Sequence, residues 1–174
     1  MSAQVLLVDY DPQWPALFER EADRIQAALG SLALQIEHVG STSVPGLIAK
    51  PVIDVLLVVP NSADEPAYTP GLEAAGYLLR IREIAWHQHR MFKGPDTEVN
   101  LHVFSSGCAE TGRMLMLRDW LRTNASDRDL YARTKLGLAC KEWKDVQNYA
   151  DAKTAVVEQI LARARAVRQE FRQE

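Results

Sequence analysis

The chain has 174 residues, of which 47% are hydrophobic and 25% charged, a composition that excludes a disordered or fibrous protein. A formal net charge of -3 and a pI near 5.8 exclude bulk electrostatic attraction to nucleic acid or to an anionic membrane, so any anion site has to be local. The two cysteines, Cys108 and Cys140, exclude a disulfide framework and lack the spacing of a zinc site.

The hydropathy pattern bears on the compartment. The amino-terminal residues show no basic segment followed by an apolar leader, and no apolar run approaches the roughly 18 residues of a membrane span. We therefore expect a cytoplasmic protein without membrane association. A chain of this length fits one domain over residues 1–174.

The first half of the chain predicts strands alternating with helices. Val5–Val8 is a strand candidate, and Asp11-Pro12 predicts the start of a helix that ends at Gly30. A polar connection should lead to a short helix from about Gly71 to Ala75. Three further strands are expected over Leu32–Val39, Pro51–Val59 and Tyr77–Ile81, with a turn over 40–51.

The second half predicts a hairpin followed by helices. Gly94-Pro95-Asp96 is a turn tripeptide between the strand-like segments Trp86–Lys93 and Thr97–Phe104. Apolar residues at helical spacing then predict helices over Glu110–Arg122, Asp127–Lys141 and Tyr149–Phe171. Together the elements predict an α+β fold, a mixed and mainly antiparallel sheet backed by helices, with a helical carboxyl-terminal third.

The segment His38–Val59 joins a polar turn to an apolar strand that contains one acid. Gly40 and Ser41 directly follow a strand, where a glycine permits close backbone approach and a hydroxyl suits a phosphate. Asp54 is isolated in the apolar strand, so it has to be paired, protonated or metal-bound. Gly-Ser alone also fits a plain structural turn, and the link to Asp54 favours the phosphate site.

Asp54, Asn100 and His102 are the candidate metal ligands. A period of two places Asn100 and His102 on the polar face of a strand that we expect beside Asp54. Their oxygen and nitrogen atoms suit one divalent cation, Mg²⁺ or Mn²⁺. A strand histidine is equally typical of a hydrogen-bonded core or rim position. His87 and His89 lack a third ligand nearby in sequence and are interpreted as a surface or hairpin feature.

Several basic residues are candidates for phosphate contacts. Tyr131 with Lys135, and Tyr149 with Lys153, each place a phenol and an ammonium one turn apart on a helix. The lysines also fit solvated helix positions. The other interpretation is that they converge on a phosphate with further basic residues, namely Lys50, Arg90, Arg118 and Arg122. The pairs do not indicate a short-chain dehydrogenase, because no G-x-G-x-x-G turn follows the first strand.

Longer runs along nearly the whole chain match one known family. They are Tyr10-Asp11-Pro12-x-Trp14, His38-Val39-Gly40-Ser41-Thr42-Ser43-Val44-Pro45-Gly46-Leu47, Ala49-Lys50-Pro51-Val52-Ile53-Asp54, Leu101-His102-Val103, Arg118-Asp119-x-Leu121-Arg122 and the two Tyr-x-x-x-Lys pairs. In these runs the sequence resembles the GrpB-like proteins, which are placed in the nucleotidyltransferase superfamily.

The resemblance implies a nucleotidyltransferase-like fold and assigns expected roles. Gly40, Ser41 and Thr42 would hold phosphates, Asp54 would hold Mg²⁺ or Mn²⁺, and Lys50, Lys135, Tyr149 and Lys153 would contact the ligand. The superfamily pattern has a second acid two residues after the first, where this chain has Leu56. A leucine neither coordinates a metal nor acts as a base, so the acidic motif is incomplete.

Three functions follow from these residues. The first is transfer of a nucleotidyl or phosphoryl group with a divalent metal. The alternative is a catalytically silent binder of a nucleotide, a coenzyme A-related compound or another phosphorylated small molecule; GrpB-like domains also occur fused to dephospho-CoA kinases. A pure interaction module would leave Asp54 unexplained. The sequence does not decide whether the protein is an enzyme, and the oligomeric state is unknown.

Overall fold

The computed structural model describes residues 6–140 and 146–172, without the side chains of residues 146–150. Within these residues, no helix has both the length and the apolar character needed to cross a membrane.

In the described part of the chain, five strands form one mixed sheet. They are β1 (Gln35–Val39), β2 (Ile53–Val59), β3 (Leu78–Glu83), β4 (His89–Lys93) and β5 (Val99–Ser105). Their order across the sheet is β1-β2-β5-β4-β3. β2 and β5 are parallel, and the other three neighbouring pairs are antiparallel. The predicted mixed, mainly antiparallel sheet is confirmed.

The helices are α1 (Trp14–Leu29), α2 (Glu65–Ala74), α3 (Ala109–Thr123), α4 (Ala125–Ala139) and α5 (Val146–Glu170). The helical carboxyl-terminal third is therefore confirmed. α1 begins at Trp14 rather than at Pro12, because the Asp11 carboxylate accepts the backbone N–H of Gln13 at 2.8 Å and forms a turn before the helix. The expected first strand is wrong over residues 6–8, where Val8 forms only an isolated bridge with Ala49.

The start of α2 also differs from the prediction. The helix begins at Glu65 and contains Pro70, whereas the sequence pattern placed its start near Gly71. Asp64 precedes the helix and Pro66 lies in its first turn, and this arrangement is a typical helix start.

Helices cover both faces of the sheet. One face packs against α1 and α2 in the main hydrophobic core, whose members include Ile25, Leu57, Leu72, Phe92 and Leu101. The opposite face carries a smaller cluster that includes Val39, Leu56, Val58 and Phe104, with Met114 and Leu115 of α3 packed against it. Because side chains alternate along a strand, Asp54 shares this second face with Leu56 and Val58.

Candidate functional site

The turn formed by Gly40 and the following helical turn Ser41–Ser43, which we call the Gly40 turn, brings the end of β1 against Asp54. Val39, the last residue of β1, is the antiparallel partner of Asp54. Gly40 has a positive φ of 72°, and a Cβ added to it would lie 2.5 Å from Asp54 Oδ2. A glycine is therefore required both by its backbone conformation and by the close carboxylate. As a result Ser41 and Asp54 lie in the same cavity wall.

Buried polar side chains fix the conformation of this turn. The Thr42 hydroxyl donates to the Val52 carbonyl oxygen at 3.0 Å and lies 2.9 Å from His38 Nε2. Burial is the main cause that lowers the pKa of His38 to about 4, and the neighbouring arginines add to it, so the imidazole is neutral at pH 7. Since the Thr42 proton goes to Val52, the hydroxyl accepts the His38 Nε2–H.

A cavity of about 370 Å³ opens between this turn, the sheet and the last two helices. Its wall is formed by Ser41, Thr42, Lys50, Val52, Asp54, Lys93, Asn100, Lys135 and Lys153. We call it the lysine cavity, because among the described residues its wall holds four lysines and a single acid. The structure thus brings together Ser41, Thr42, Lys50, Asp54, Asn100, Lys135 and Lys153 from the predicted set.

Lys135 of α4 is the most deeply buried of these lysines. Its Nζ donates to Ser41 Oγ and to the Ile48 carbonyl oxygen, both at 2.8 Å. Burial, followed by the nearby charges of Lys153 and Lys50, lowers the pKa of Lys135 to about 7, while Asp54 opposes the shift. Lys135 is therefore only partly protonated at neutral pH.

The other lysines of the cavity respond to the same surroundings. Burial, with the charge of Lys153, lowers the pKa of Lys50. Burial also lowers the pKa of Lys153, and the negative charge of Asp54 again opposes the change. Burial is the largest cause at all three lysines, and repulsion between lysines adds to it at Lys135 and Lys50, so an anion among them would favour their charged forms.

Lys93 is a cavity residue that the sequence analysis missed. It ends β4 opposite Asn100 of β5, and its Nζ donates to Asn100 Oδ1 at 2.6 Å. The hairpin pattern could have identified Lys93, because strand alternation on the two sides of the 94–96 turn places Lys93 on the same face as Asn100 and His102.

Asp54 begins a chain of hydrogen-bonding groups that runs across the sheet. Its Oδ1 lies 3.0 Å from His102 Nε2, and His102 Nδ1 lies 3.0 Å from His89 Nε2. His89 Nδ1 in turn lies 2.8 Å from Glu83 Oε1, and the Glu83 side chain is 46% exposed. We call these residues, Asp54, His102, His89 and Glu83, the histidine chain. It links the lysine cavity to the surface.

Burial lowers the pKa of His89 and favours its neutral imidazole, while the hydrogen bond with Glu83 opposes this shift. A neutral imidazole has one N–H donor and one acceptor nitrogen. The donor and acceptor roles along the histidine chain therefore depend on the tautomers of His89 and His102.

Asp54 has a partner, as the sequence analysis expects of an isolated acid: its Oδ1 lies 3.0 Å from His102 Nε2, and its side chain is 27% exposed in the cavity wall. His89 begins β4 within the predicted hairpin, but its side chain is buried, so only the surface interpretation of His89 is wrong. His87 is exposed in the preceding turn with a φ of 56°, and does not share a strand face with His89.

The predicted metal ligands do not fit a resident Mg²⁺ or Mn²⁺. Asp54 Oδ1 lies in the histidine chain, and the Asn100 oxygen accepts the Lys93 ammonium. Leu56, in place of the second acid, is fully buried beside His102. The described residues contain no group of three or more His, Cys, Asp or Glu side chains suited to a metal. Lysines surround the carboxylate instead, where a divalent cation would prefer oxygen ligands.

Arg90 is a predicted ligand contact that the structure places elsewhere. It pairs with Val103, so strand alternation turns it to the face of α1 and α2, away from His102. There the 3% exposed side chain donates to Glu65 Oε2 at 2.9 Å and to the Gln88 carbonyl oxygen at 2.8 Å. The expectation that Arg90 converges with the lysines is wrong.

Arg118 and Arg122 support the turn from behind. Arg118 donates to Glu37 Oε2 at 2.6 Å and to the His38 carbonyl oxygen at 3.2 Å. Arg122 donates to the Ser43 carbonyl oxygen at 2.9 Å. Neither arginine lines the lysine cavity: Arg118 holds the end of β1, and Arg122 holds the turn. Tyr149 lies in α5, but its side chain is outside the described part of the structure.

Comparison with known sequences identifies relatives along most of the chain. A family model described as GrpB protein matches residues 4–163. A UPF0157 protein from Halalkalibacterium halodurans is 63% identical over 165 residues, covering 95% of this chain and 85% of the relative. A relative from Mycolicibacterium paratuberculosis, named dephospho-CoA kinase, is 29% identical over 178 residues and covers 87% of this chain but 44% of that protein.

Solved structures show the same fold. The structure of conserved protein GrpB from Enterococcus faecalis has a TM-score of 0.80 and 31% identity, covering 91% of this chain and 96% of that chain. Cid1 poly(U) polymerase with Mg 3'-dATP bound has a TM-score of 0.55 and 10% identity, covering 75% of this chain and 43% of that chain. The second likeness shows the fold alone, and the fold is nucleotidyltransferase-like.

Proposed function

This chain belongs to the GrpB family, and we propose that it binds a phosphate-bearing small molecule, either a nucleotide or a coenzyme A-related compound, in the lysine cavity. The observation that carries the proposal is the composition of the wall, in which four lysines converge around one acid. A phosphate group is the common metabolite group with enough negative charge to offset such a cluster.

The energetics of the lysines support a phosphate. Lys135 stays partly deprotonated because burial and its lysine neighbours disfavour its charge. An anion with two negative charges would favour protonation of Lys135 and remove the repulsion from Lys50 and Lys153. Part of the binding free energy would therefore come from completing the protonation of the cavity.

The turn offers further contacts to the same group. Ser41 lies in the cavity wall with its Oγ 2.8 Å from Lys135 Nζ. A phosphate oxygen beside Lys135 would thus also lie near a hydroxyl that donates a hydrogen bond. The missing Cβ of Gly40 lets the turn lie against Asp54, so Ser41 and the carboxylate share one wall.

The comparisons are consistent with this class of ligand. One group of relatives carries the name dephospho-CoA kinase, and these proteins are more than twice the length of the matched segment. Solved structures of Cid1, which share the fold, include a complex with MgGTP. Coenzyme A-related compounds and nucleotides are therefore the first ligands to test.

A thermal-shift screen tests the proposal. Nucleotides, coenzyme A and dephospho-coenzyme A are added with and without Mg²⁺ or Mn²⁺. A ligand at a hundred-fold excess over its dissociation constant adds about 2.7 kcal/mol of stability, which a melting curve resolves easily. We expect stabilisation by at least one phosphate-bearing compound in the absence of metal.

Matched variants locate the effect. Lys135→Met should abolish most of the stabilisation, whereas Arg133→Met removes a positive charge from an exposed position of the same helix and should preserve it. Stabilisation that is equal in both variants, or absent for every compound at millimolar concentration, contradicts the proposal.

A second candidate function is nucleotidyl or phosphoryl transfer, and the histidine chain is the observation that favours it. An acceptor hydroxyl oxygen would attack the phosphorus, the bond from phosphorus to the leaving oxygen would break, and Asp54 would take the hydroxyl proton. Asp54 would later lose this proton to water, while His102 would orient the Asp54 carboxylate through Nε2 and Glu83 would act on His102 through His89. The lysines would offset the charge of the leaving group, and no step is assigned to a metal because the donor set does not fit one.

Phosphorus NMR distinguishes transfer from binding. The four ribonucleoside triphosphates are incubated with a polyol or an RNA acceptor, and release of pyrophosphate or nucleoside diphosphate is followed. Transfer requires such release, with a slower rate and an altered pH profile in Glu83→Gln. No release from any triphosphate removes this second candidate and leaves ligand binding in place.

A further inference from the structure

A second cavity lies directly behind the Gly40 turn. It has a volume of about 150 Å³ and is lined by Gly40, Ser41, Val44, Met114, Leu117, Arg118, Leu121 and Tyr131. We call it the apolar cavity, because its wall consists mainly of aliphatic side chains from the turn and α3 and one aromatic side chain from α4. An apolar cavity of about this volume holds a benzene ring.

The two cavities meet at Ser41. This residue lines both of them, with its hydroxyl bound to Lys135. Tyr131 of the apolar cavity lies one helical turn before Lys135, whose Nζ is 5.2 Å from the centre of the Tyr131 ring. The boundary between the cavities therefore consists of a small residue and an aromatic ring that contacts the buried ammonium. A single ligand can place a charged group on one side of Ser41 and an apolar group on the other.

Arg118 adds a planar group to the apolar cavity. Its guanidinium is held by hydrogen bonds to Asp119 Oδ1 at 2.9 Å, Glu37 Oε2 at 2.6 Å and the His38 carbonyl oxygen at 3.2 Å. These bonds fix the plane of the guanidinium and engage donors at its edge. The flat face of an arginine held in this way favours a planar ring as its neighbour.

We infer that the ligand is a phosphate ester whose organic part carries an apolar or aromatic group about one ring in size, bound in the apolar cavity while the phosphate is bound in the lysine cavity. This inference rests on the proposed function and narrows it. Inorganic phosphates and simple sugar phosphates fill only the lysine cavity and bind weakly. A nucleobase and the pantetheine arm of a coenzyme A-related compound are the two sources of the apolar group.

Calorimetry with a ligand series tests the inference. Pyrophosphate and ribose 5-phosphate probe the lysine cavity alone, while AMP, UMP and 4'-phosphopantetheine add the two kinds of organic group. We expect at least one of the last three to bind about tenfold or more tightly than ribose 5-phosphate, because burial of one ring provides more than the 1.4 kcal/mol that a tenfold change requires. The nucleotide and pantetheine results distinguish the two sources. Equal affinities across the series overturn the inference.

A variant that fills the apolar cavity tests whether the tighter binding of ligands with an organic group arises there. Leu117→Trp enlarges a side chain of its wall, whereas Met116→Trp makes a similar change at a neighbouring position of α3 outside that wall. We expect Leu117→Trp to remove the advantage over ribose 5-phosphate and to preserve pyrophosphate binding, and Met116→Trp to preserve both. Persistence of the advantage in Leu117→Trp contradicts the inference.

The unmodified protein provides an independent measurement. Met114 lines the apolar cavity, so its methyl NMR signal should shift with the tighter ligand and stay unchanged with pyrophosphate. A Met114 signal that is insensitive to every ligand overturns the inference even where Leu117→Trp fails to fold. Failure of the proposed function is different and recognisable: pyrophosphate then does not bind, and Lys135→Met has no effect on any ligand.

Discussion

On the face of β2 that meets α1 and α2, Ile53, Val55 and Leu57 are closed off from water, whereas on the opposite face Asp54 is 27% exposed in a cavity wall. Leu56 is as deeply buried as the core residues, although it lies on the face of Asp54. The two faces of β2 therefore differ, and the second face also changes along its length. It is core at Leu56 and cavity wall at Asp54, which lies at the end of β2 nearest the Gly40 turn.

The difference shows how the sheet accommodates polar groups. The α1 and α2 face closes with apolar side chains, and its buried Arg90 is paired with Glu65. On the other face, Asp54 and His102 are joined to each other and to a buried histidine. These polar side chains have partners on both faces, and Asp54 on the second face also lines a cavity open to a ligand.

The largest expected effect breaks the core face. Leu57→Ala should lower the free energy of unfolding by about 2–5 kcal/mol, because it leaves a cavity in the main hydrophobic core. Denaturant unfolding measures the loss. The protein that remains folded should bind pyrophosphate with unchanged affinity, and a selective loss of binding would mean that the two faces are not separable.

The next effect breaks the cavity face at the Gly40 turn. Gly40→Ala should cost about 1–3 kcal/mol of stability and abolish phosphate binding, because the new Cβ would displace the Asp54 carboxylate. Gly46→Ala is the matched control, since Gly46 has a positive φ of 80° and open space where a Cβ would lie. Gly46→Ala should lose a similar amount of stability through its backbone strain and should still bind phosphate. Loss of binding in both variants would show that the contact with Asp54 is not the cause.

A smaller effect follows from Lys135 and pH. Its pKa is about 7 in the folded protein and 10.5 as the ordinary value, so between these limits the unfolded chain binds more protons and stability rises with pH. The slope contributed by this group is at most about 1.4 kcal/mol per pH unit. Unfolding curves for the protein and Lys135→Met should therefore diverge above pH 7. Parallel pH profiles would contradict the lowered pKa of Lys135.

The smallest effect concerns the exposed end of the histidine chain. Glu83→Gln should change stability by less than about 1 kcal/mol, because Glu83 is half exposed and the amide can still hydrogen-bond His89. The amide can donate to His89 Nδ1, which would move the His89 proton to Nε2. Nitrogen NMR of the imidazoles checks this change of tautomer, with the exposed Glu73→Gln as the control. Unchanged imidazole signals in Glu83→Gln would show that Glu83 does not act on the histidine chain.

Much of the fold was predictable because it depends on local patterns. The hydrophobic period identified the strands of the hairpin and the last three helices, and the isolated Asp54 marked the cavity face of β2. The start of α2 was missed because its two prolines were interpreted as loop residues, although an acid followed by a proline in the first turn is a typical helix start. The prediction of an amino-terminal strand was wrong because Val8 pairs with a single residue, Ala49.

The site was less predictable because it depends on pairing between distant elements. The proximity of Ser41 and Asp54 follows from the antiparallel pairing of Val39 with Asp54 across the connection over residues 40–52. Strand alternation alone would have placed Arg90 on the face of α1 and α2, and it would have added Lys93 to the residues predicted beside Asn100. The bond from His102 to His89 depends on the pairing register of β4 and β5, which no motif of the sequence reveals.

The central claim, that the lysine cavity binds a phosphate, is tested most directly by titrating the Lys135 side chain with nitrogen NMR, in the presence and absence of pyrophosphate. The free protein should show a pKa of about 7, caused by burial and by the neighbouring lysines. Bound pyrophosphate should raise this pKa, with uptake of a proton near pH 7, because the anion stabilises the ammonium. An unchanged Lys135 titration at saturating pyrophosphate would contradict the claim.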